Sequence, residues 1–256
     1  MTGHRGESRP LRYREIWRRK PALRAVYGDI YRRIAAHSRP GRTLEIGGGS
    51  GNLKEFAPDV VSTDILPAPW LDALCDAHCL PFADASFANI VLFDVLHHLE
   101  RPARFFAEAE RVLAPGGRLI VCEPAITPLG GLVYRFFHHE PVNMRADPLA
   151  DGPLTPGRDP YDSNQAVPTL LTGRYREALA AKVPNLPLVT LERFSFAAYL
   201  LSGGFRAWSL LPAFAAGPLL RLEWAVRRVF GPLAALRLLA VYAKRAPPNL
   251  SVGTRA

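Results

Sequence analysis

Residues 44–53 read LEIGGGSGNL and place four glycines within five positions, directly after a short apolar run. Glycine is costly inside a strand or helix, because it loses more backbone freedom on folding than any other residue. The preceding residues, RTLEIG (42–47), read as a short buried strand. A strand, a glycine turn and a helix bring backbone N–H groups against a bound nucleotide. We therefore expect a ligand to lie against the backbone of residues 47–51.

The type of ligand is narrowed by two features of the same stretch. No Gly-Lys-Ser/Thr follows the glycines, which excludes the phosphate loop of nucleotide-hydrolysing proteins. Glu45 precedes them, and a carboxylate there would repel a pyrophosphate but suits a ligand that carries an ammonium group.

Strand-like and helical patterns alternate along the chain. Helical spacing is seen at 21–37 and in ARFFAEAERVLAPGG, which ends in a Pro-Gly-Gly turn. Apolar strand patterns occupy 60–65, 71–77 (the weakest), 89–96, 117–124, 188–196 and 236–245. Apolar strands that alternate with helices predict a mostly parallel sheet covered on both faces.

Positive charge is concentrated at the amino terminus. The net charge is +9, and residues 1–40 hold eleven Arg or Lys against three acids. This predicts a basic helical arm that faces either nucleic-acid phosphates or anionic lipid, or that is simply solvated. On a membrane, Tyr13 and Trp17 would lie at the level of the headgroups.

The compartment is predicted from what the sequence lacks. Three cysteines do not suggest a disulfide framework, and no secretory signal or membrane-spanning run is recognised. We expect a cytoplasmic protein, with peripheral contact at the inner membrane face as an option. The sequence does not indicate the oligomeric state.

Two segments interrupt the alternation of strands and helices. Residues 124–172 are rich in Pro, Gly, Asp and Asn, and a long structureless stretch of this kind predicts a lid. Residues 197–230 are apolar and end among arginines, which suits a helical cap or a bilayer interface. The predicted organisation is an arm at 1–40 and one domain at 41–256 that carries both insertions.

Several motifs in the same order make residues 40–125 resemble the class I S-adenosylmethionine-dependent methyltransferases. LEIGGGSG resembles the first motif of that family, and VVSTD ends in the acid expected after the second strand. DAHCLPFADASFANIVLFDVLHHL and RVLAPGGRLIVCEP resemble its adenine, fourth-strand and fifth-strand motifs. The resemblance is to the small-molecule branch that includes ubiquinone and menaquinone methyltransferases. It implies a Rossmann-like three-layer α/β sandwich with a seven-stranded, mostly parallel sheet and an antiparallel edge strand.

The resemblance also implies the cofactor, S-adenosyl-L-methionine, and the residues that hold it. These residues are Glu45, Gly47, Gly49, Gly51, Asp64, Ile65, Asp76, Ala77 and Asp94. Glu45 is expected to hold the methionyl ammonium through water, Asp64 both ribose hydroxyls, and Asp76 the adenine amine. The glycines are expected to leave space for the methionyl and ribose parts of the cofactor. The N–H of Ala77 is expected to contact the adenine, and Asp94 is expected to border the sulfonium.

The methyl acceptor is constrained by the sequence after the fourth strand. FDVLHHLE is neither the Asn-Pro-Pro-Tyr type that holds an amide nor a Pro-Cys that attacks a pyrimidine. We expect transfer to an O, N or C atom of a small or lipid-like acceptor, with nucleic acid less favoured. An imidazole can take a proton near neutral pH, so the candidate bases are His97 and His98 and, in the lid, His139 beside His138.

The sequence raises three further interpretations. Cys75, His78 and Cys79 are too close together in the sequence for a zinc site, so no metal ligand is predicted. The basic arm supports an RNA methyltransferase as an alternative. A non-catalytic protein with a relic cofactor site is another, although a relic site would tolerate side chains at the glycines.

Overall fold

The predicted alternation produces one seven-stranded sheet. The computed structural model describes residues 8–246. The strands are β1 Thr43–Ile46, β2 Val61–Asp64, β3 Ala73–Leu74, β4 Phe87–Phe93, β5 Leu113–Pro124, β6 Leu188–Phe194 and β7 Arg237–Ala243. Their order in the sheet is β3-β2-β1-β4-β5-β7-β6. Strands β1 to β5 pair in parallel, and β7 runs antiparallel to both β5 and β6.

Eight α-helices surround the sheet in the described part of the chain. They are α1 Ser8–Arg19, α2 Pro21–His37, α3 Pro102–Val112, α4 Pro128–Phe137, α5 Val167–Thr172, α6 Arg176–Lys182, α7 Ala197–Ser202 and α8 Ala213–Ala234. Two short 3-10 helices, Leu53–Glu55 and Leu96–His98, follow β1 and β4. This arrangement confirms the predicted Rossmann-like fold.

Helices cover both faces of the sheet and bury two apolar clusters. Helices α3, α5 and α6 pack on one face, and α1, α2, α7 and α8 pack on the other. Successive side chains of a strand point to opposite faces. In β4, Ile90 and Leu92 therefore enter the first cluster while Val91 enters the second. Burial on both sides explains why the strands are continuously apolar in sequence.

The amino-terminal helices are part of the packed structure. Trp17 is fully buried, and its indole Nε1 donates a hydrogen bond of 2.8 Å to Glu55. The Tyr13 ring stacks on Phe205, with 4.6 Å between the ring centroids. The expectation that Trp17 lies among lipid headgroups is therefore wrong, because a buried indole with a protein partner cannot also insert into a bilayer.

Lys20, between α1 and α2, is held by the backbone of a distant segment. Its Nζ donates to the carbonyls of Ser202, Gly204, Arg206 and Trp208 at 2.7 to 2.9 Å. Burial lowers the pKa of this ammonium group. The contact fastens the loop after α7 to the junction of the first two helices.

Both predicted insertions contain helices. Residues 124–172 include α4 and α5, so the expectation of a structureless segment is wrong for those residues. Residues 197–230 include α7 and most of α8, and α8 packs on α2, α4 and β6. Within residues 8–246, no helix combines the length and the apolar character needed to cross a membrane.

Large apolar side chains remain exposed on α4 and on α8 with the loop before it. These are Leu129, Leu132, Phe136, Phe137, Leu210, Phe214, Leu222, Val229, Phe230 and Leu233. We refer to them as the α4–α8 face. Most monomeric proteins expose apolar residues singly, so ten exposed apolar side chains on two packed helices and the loop before one of them are unusual.

Candidate active site

A cleft of about 360 Å³ opens above the carboxyl ends of β1, β2 and β4. Ligands of open α/β sheets bind at this edge. Eight of the nine predicted cofactor residues line the cleft: Glu45, Gly47, Gly49, Asp64, Ile65, Asp76, Ala77 and Asp94. Gly51 is the exception. Both insertions contribute to the wall of the cleft. Tyr134 comes from residues 124–172, and Tyr199 comes from residues 197–230.

The glycines of the first loop serve different purposes. Gly47, Gly49 and Gly51 all have positive φ angles, of 73°, 47° and 74°, which favour glycine. A Cβ on Gly47 would overlap the Val95 side chain, and a Cβ on Gly51 would lie 2.5 Å from Trp70. A Cβ on Gly49 would meet no atom closer than the Gly47 carbonyl oxygen, at 3.8 Å. Gly49 is thus the glycine that leaves space for a ligand, while Gly47 and Gly51 accommodate the protein's own side chains.

Asp64 closes the glycine loop from the end of β2. One carboxylate oxygen accepts a hydrogen bond of 2.9 Å from the Gly49 N–H, and the other accepts one of 3.0 Å from Leu66. The carboxylate is only partly buried and faces the cleft. Each oxygen keeps a further lone pair, so Asp64 has the capacity to accept two hydroxyl hydrogen bonds.

Glu45 lies at the end of β1, buried beneath the loop. Its carboxylate accepts a hydrogen bond from the Ser62 hydroxyl. Burial raises the pKa of Glu45 to about 7, and the nearby charge of Asp64 adds to the effect. A buried carboxylate without a cationic partner is unfavourable, so a ligand ammonium in this part of the cleft would be attracted to it.

Asp76 and Ala77 form the next part of the wall. The Asp76 carboxylate accepts a hydrogen bond from the His78 N–H at 2.9 Å and lies 2.6 Å from the His78 ring nitrogen Nδ1. Cys75, His78 and Cys79 do not bring three ligand atoms together in the described residues.

Asp94, directly after β4, is paired with a buried arginine that sequence reasoning missed. Its carboxylate accepts two hydrogen bonds from the Arg237 guanidinium, at 2.5 and 2.9 Å. The rings of Tyr27, Phe93 and Tyr199 surround that guanidinium, which lies 4.8 to 5.8 Å from their centroids. The sequence gives no signal for this pair, because Arg237 is the first residue of an apolar strand and many basic residues occupy such positions.

His97 lies between two carboxylates. Its Nδ1 is 2.5 Å from Glu123, and its Nε2 is 3.3 Å from Glu140. Burial alone would lower the pKa of His97, but these carboxylates outweigh it and raise the pKa well above the usual value. A histidine that keeps its proton at neutral pH is unsuited to act as a base. Glu123, also absent from the sequence predictions, further accepts hydrogen bonds from the N–H groups of Val95 and Leu96.

The other predicted histidines differ in environment. His98 lines the cleft, and burial together with the neighbouring His97 lowers its pKa. His138 lines the cleft as well, and burial lowers its pKa too. The His139 side chain, at the mouth, is 73% exposed. His98 is therefore the predicted base that is both enclosed and directed to the cleft.

The described residues fit a nucleoside ligand that carries an ammonium group. A Cβ on Gly49 would meet no close neighbour, so space for a ligand remains there. The Asp64 carboxylate can accept hydrogen bonds from ligand hydroxyl groups, and the buried Glu45 carboxylate can attract an ammonium group. The same cleft is also lined by His98, Tyr134 and Tyr199, which are not among the predicted cofactor residues.

Comparison with known proteins agrees with this fit. A family model described as a methyltransferase domain matches residues 44–121. Demethylmenaquinone methyltransferase of Thermus thermophilus is 34% identical over 128 residues, which are 41% of this chain and 57% of that protein. The ubiquinone/menaquinone biosynthesis C-methyltransferase UbiE of Bordetella avium is 35% identical over 114 residues, 34% of this chain and 43% of that protein. The chain spans about half the length of the curated relatives it matches.

Solved structures show the same fold. An S-adenosylmethionine-dependent methyltransferase from Archaeoglobus fulgidus superposes with a TM-score of 0.50 at 16% identity, covering 88% of this chain and 94% of that one. Residues 44–121 therefore match a methyltransferase domain, the fold is that of S-adenosylmethionine-dependent methyltransferases, and the chain resembles the ubiquinone and menaquinone methyltransferases.

Proposed function

We propose that the protein transfers the methyl group of S-adenosylmethionine to a small, lipid-like acceptor. The observation that carries the proposal is the continuity of one cleft. The glycine loop, Asp64, His98 and Tyr134 all line it. A methyl donor and an acceptor held in one cleft gain the proximity and alignment that in-line transfer requires.

The bound cofactor supplies an electrophilic methyl group, and the chain's own residues orient the two reactants. We assign Glu45, Gly49 and Asp64 to the methionyl and ribose parts, and Asp76 with Ala77 to the adenine. Ile65 lies beside the adenine and ribose subsites. The two hydrogen bonds from Arg237 fix the orientation of the Asp94 carboxylate. We therefore assign Asp94 to the part of the wall that borders the transferred methyl group.

We assign the acceptor to the aromatic part of the wall. Tyr27, Phe93, Tyr134, Tyr199 and Phe205 line the same cleft. Aromatic rings stack on flat apolar ligands and exclude water from the reacting atoms. We assign His98 as the group that contacts the reacting end of the acceptor.

A lipid-like acceptor is supported by the α4–α8 face. Tyr134 lines the cleft from α4, while Phe136 and Phe137 of the same helix are exposed. Arg135, Arg221 and Arg228 are exposed on the same two helices. Apolar side chains mixed with arginines suit an anionic membrane surface. We propose that this face, rather than the amino-terminal arm, makes peripheral contact with a membrane and receives the acceptor from it.

The quinone-methylating relatives favour a small acceptor over RNA, and the glycine loop with Asp64 disfavours a relic site. The test uses the full chain with radiolabelled S-adenosylmethionine and, in separate reactions, a bacterial lipid extract and total RNA. We expect label in the lipid fraction, and less in that fraction with the Gly49→Val variant. Label in RNA alone would support the alternative acceptor. No transfer and no binding of S-adenosylhomocysteine would indicate a non-catalytic protein.

A further inference from the structure

Two histidines and a carboxylate converge at the acceptor end of the cleft. Their ligand atoms all lie within 4.8 Å of one another, and all three side chains line the cleft. We propose that His97, His98 and Glu140 bind one divalent transition-metal ion of the Zn²⁺ type, with open coordination positions that face the acceptor.

Both histidines are held as metal-binding histidines usually are. A ligating imidazole generally uses its second nitrogen to bind a carboxylate or a carbonyl oxygen, which fixes the ring and its tautomer. His97 directs Nδ1 to the Glu123 carboxylate at 2.5 Å, and His98 directs Nδ1 to the Asp162 carbonyl at 3.3 Å. Each ring thereby keeps Nε2 as its donor for an ion.

Glu140 is also held by a buried neighbour. Its carboxylate oxygen Oε2 accepts a hydrogen bond from the side-chain amide of Gln165, a residue only 2% exposed. The same oxygen lies 3.3 Å from His97 Nε2. A tetrahedral zinc ion with bonds of about 2.0–2.1 Å needs about 3.3 Å between its ligand atoms. The pair already has this spacing, and the ligand atom of His98 lies within 4.8 Å of both.

The local charge also favours a cation. Glu123 and Glu140 place two carboxylates around the single imidazole of His97, within a largely buried site. Two histidines and one carboxylate form a donor set that zinc and neighbouring transition metals prefer. An ion on Nε2 of His97 would replace a proton there and leave the Glu123 hydrogen bond in place.

The ion would change how the acceptor is held. Three protein ligands leave positions in which water or an oxygen of the acceptor coordinates, so the contact assigned to His98 would pass through the metal. This role rests on the proposed function, whereas binding of the ion itself does not.

The test is metal binding by the untagged full chain after treatment with a chelator and dialysis. Calorimetry with Zn²⁺ and visible absorption with Co²⁺ are measured on the wild type and on His98→Ala, Glu140→Gln and Glu123→Gln. We expect the wild type to bind one ion per chain. His98→Ala and Glu140→Gln should bind it at least a hundredfold more weakly. Glu123→Gln removes only a supporting contact and should weaken binding about 10–100-fold. Circular dichroism and urea unfolding establish that each variant is folded.

The matched control is His78→Gln, which removes a cleft histidine that is not one of the three ligands and that lies next to Cys75 and Cys79 in the sequence. Its affinity for Zn²⁺ should equal that of the wild type. The proposal is overturned if the wild type binds no ion at micromolar concentration, if His98→Ala binds as well as the wild type, or if His78→Gln abolishes binding. S-adenosylhomocysteine binding is measured in parallel, and its absence in the wild type would refute the proposed function without affecting the metal site.

Discussion

The Arg237 guanidinium binds the Asp94 carboxylate through two parallel hydrogen bonds, although the two residues are 143 positions apart. Arg237 is 2% exposed, and Asp94 adopts a φ of 57° that few residues other than glycine tolerate. The pair therefore joins the start of β7 to the loop after β4 at the centre of the cleft.

Replacement of Arg237 by Met should lower the free energy of unfolding by about 3 kcal/mol, because Asp94 then loses its partner in a partly buried site. Arg237→Met combined with Asp94→Asn should recover part of the loss. Arg19→Met is the control, since Arg19 and Glu15 form an exposed pair that should contribute under about 1 kcal/mol. Urea unfolding measures all four proteins, and equal losses for Arg237→Met and Arg19→Met would contradict the argument.

Gly49 and Gly51 should separate binding from folding. Gly49→Val should abolish binding of S-adenosylhomocysteine because the added atoms enter the cleft, and the φ of 47° makes the substitution cost some stability as well. Gly51→Val should mainly reduce stability, because its Cβ would lie 2.5 Å from Trp70. Calorimetry and urea unfolding on both variants give the two readouts. Tight ligand binding by Gly49→Val would exclude this part of the cleft as the cofactor site.

Asp64→Ala should weaken binding of S-adenosylhomocysteine by about 1–3 kcal/mol, the usual cost of leaving buried hydroxyls without a partner. Asp72→Ala is the matched control. Asp72 also accepts a backbone N–H, that of Ser62, and binds Lys54, but it does not line the cleft. Calorimetry should show wild-type affinity for the control, and the same loss in both variants would point to a general effect on the loop.

Glu45 should make stability depend on pH. Its pKa is raised to about 7 in the folded protein by burial, against an ordinary value of 4.5. Between these values the folded state holds a proton that the unfolded state has lost, so stability falls as pH rises. The affected range runs from about 4.5 to about 7, with a maximal loss of about 3 kcal/mol.

Glu45→Gln removes this dependence. Unfolding free energies of the wild type and the variant, measured from pH 5 to pH 8, should diverge in favour of the variant as pH rises. The charges that face Glu45 are Asp64, Asp72 and Lys54, which both proteins keep. A constant difference across this range would show that Glu45 titrates normally.

The α4–α8 face should bind vesicles. Phe137→Ser should reduce sedimentation with anionic vesicles by about tenfold or more, because burying a Phe side chain contributes about 1.5–3 kcal/mol. Leu74→Ser, at an exposed apolar position on β3 away from this face, is the control. Replacement of the exposed Arg12, Arg18 and Arg19 by Gln tests the basic arm separately and keeps the buried Trp17 and Lys20. If that replacement abolishes binding and Phe137→Ser does not, the arm is the membrane contact.

Local patterns explain what the sequence could predict. The glycine loop, Asp64 and the apolar strands lie within short stretches whose spacing determines their structure. Glu123, His97 and Glu140 come from three separate segments, and the sequence shows only two unconnected histidine pairs at 97–98 and 138–139. Arg237 and Lys20 depend on contacts across most of the chain. Such pairs follow from the completed topology and have no local signature.

Lys20 has a consequence for the order in which the molecule is built. Its four carbonyl partners lie 182 to 188 residues later in the chain. During synthesis the first helices leave the ribosome long before residues 202–208 exist, and contacts of such long range form late. Trp17 and Tyr31 meet Phe56 early, but the surfaces of α1 and α2 that face α7 and α8 stay exposed until those two helices are made. Helices α1 and α2 precede every strand of the sheet and are nevertheless among the elements whose packing is completed last, and a chaperone would act on them in that interval.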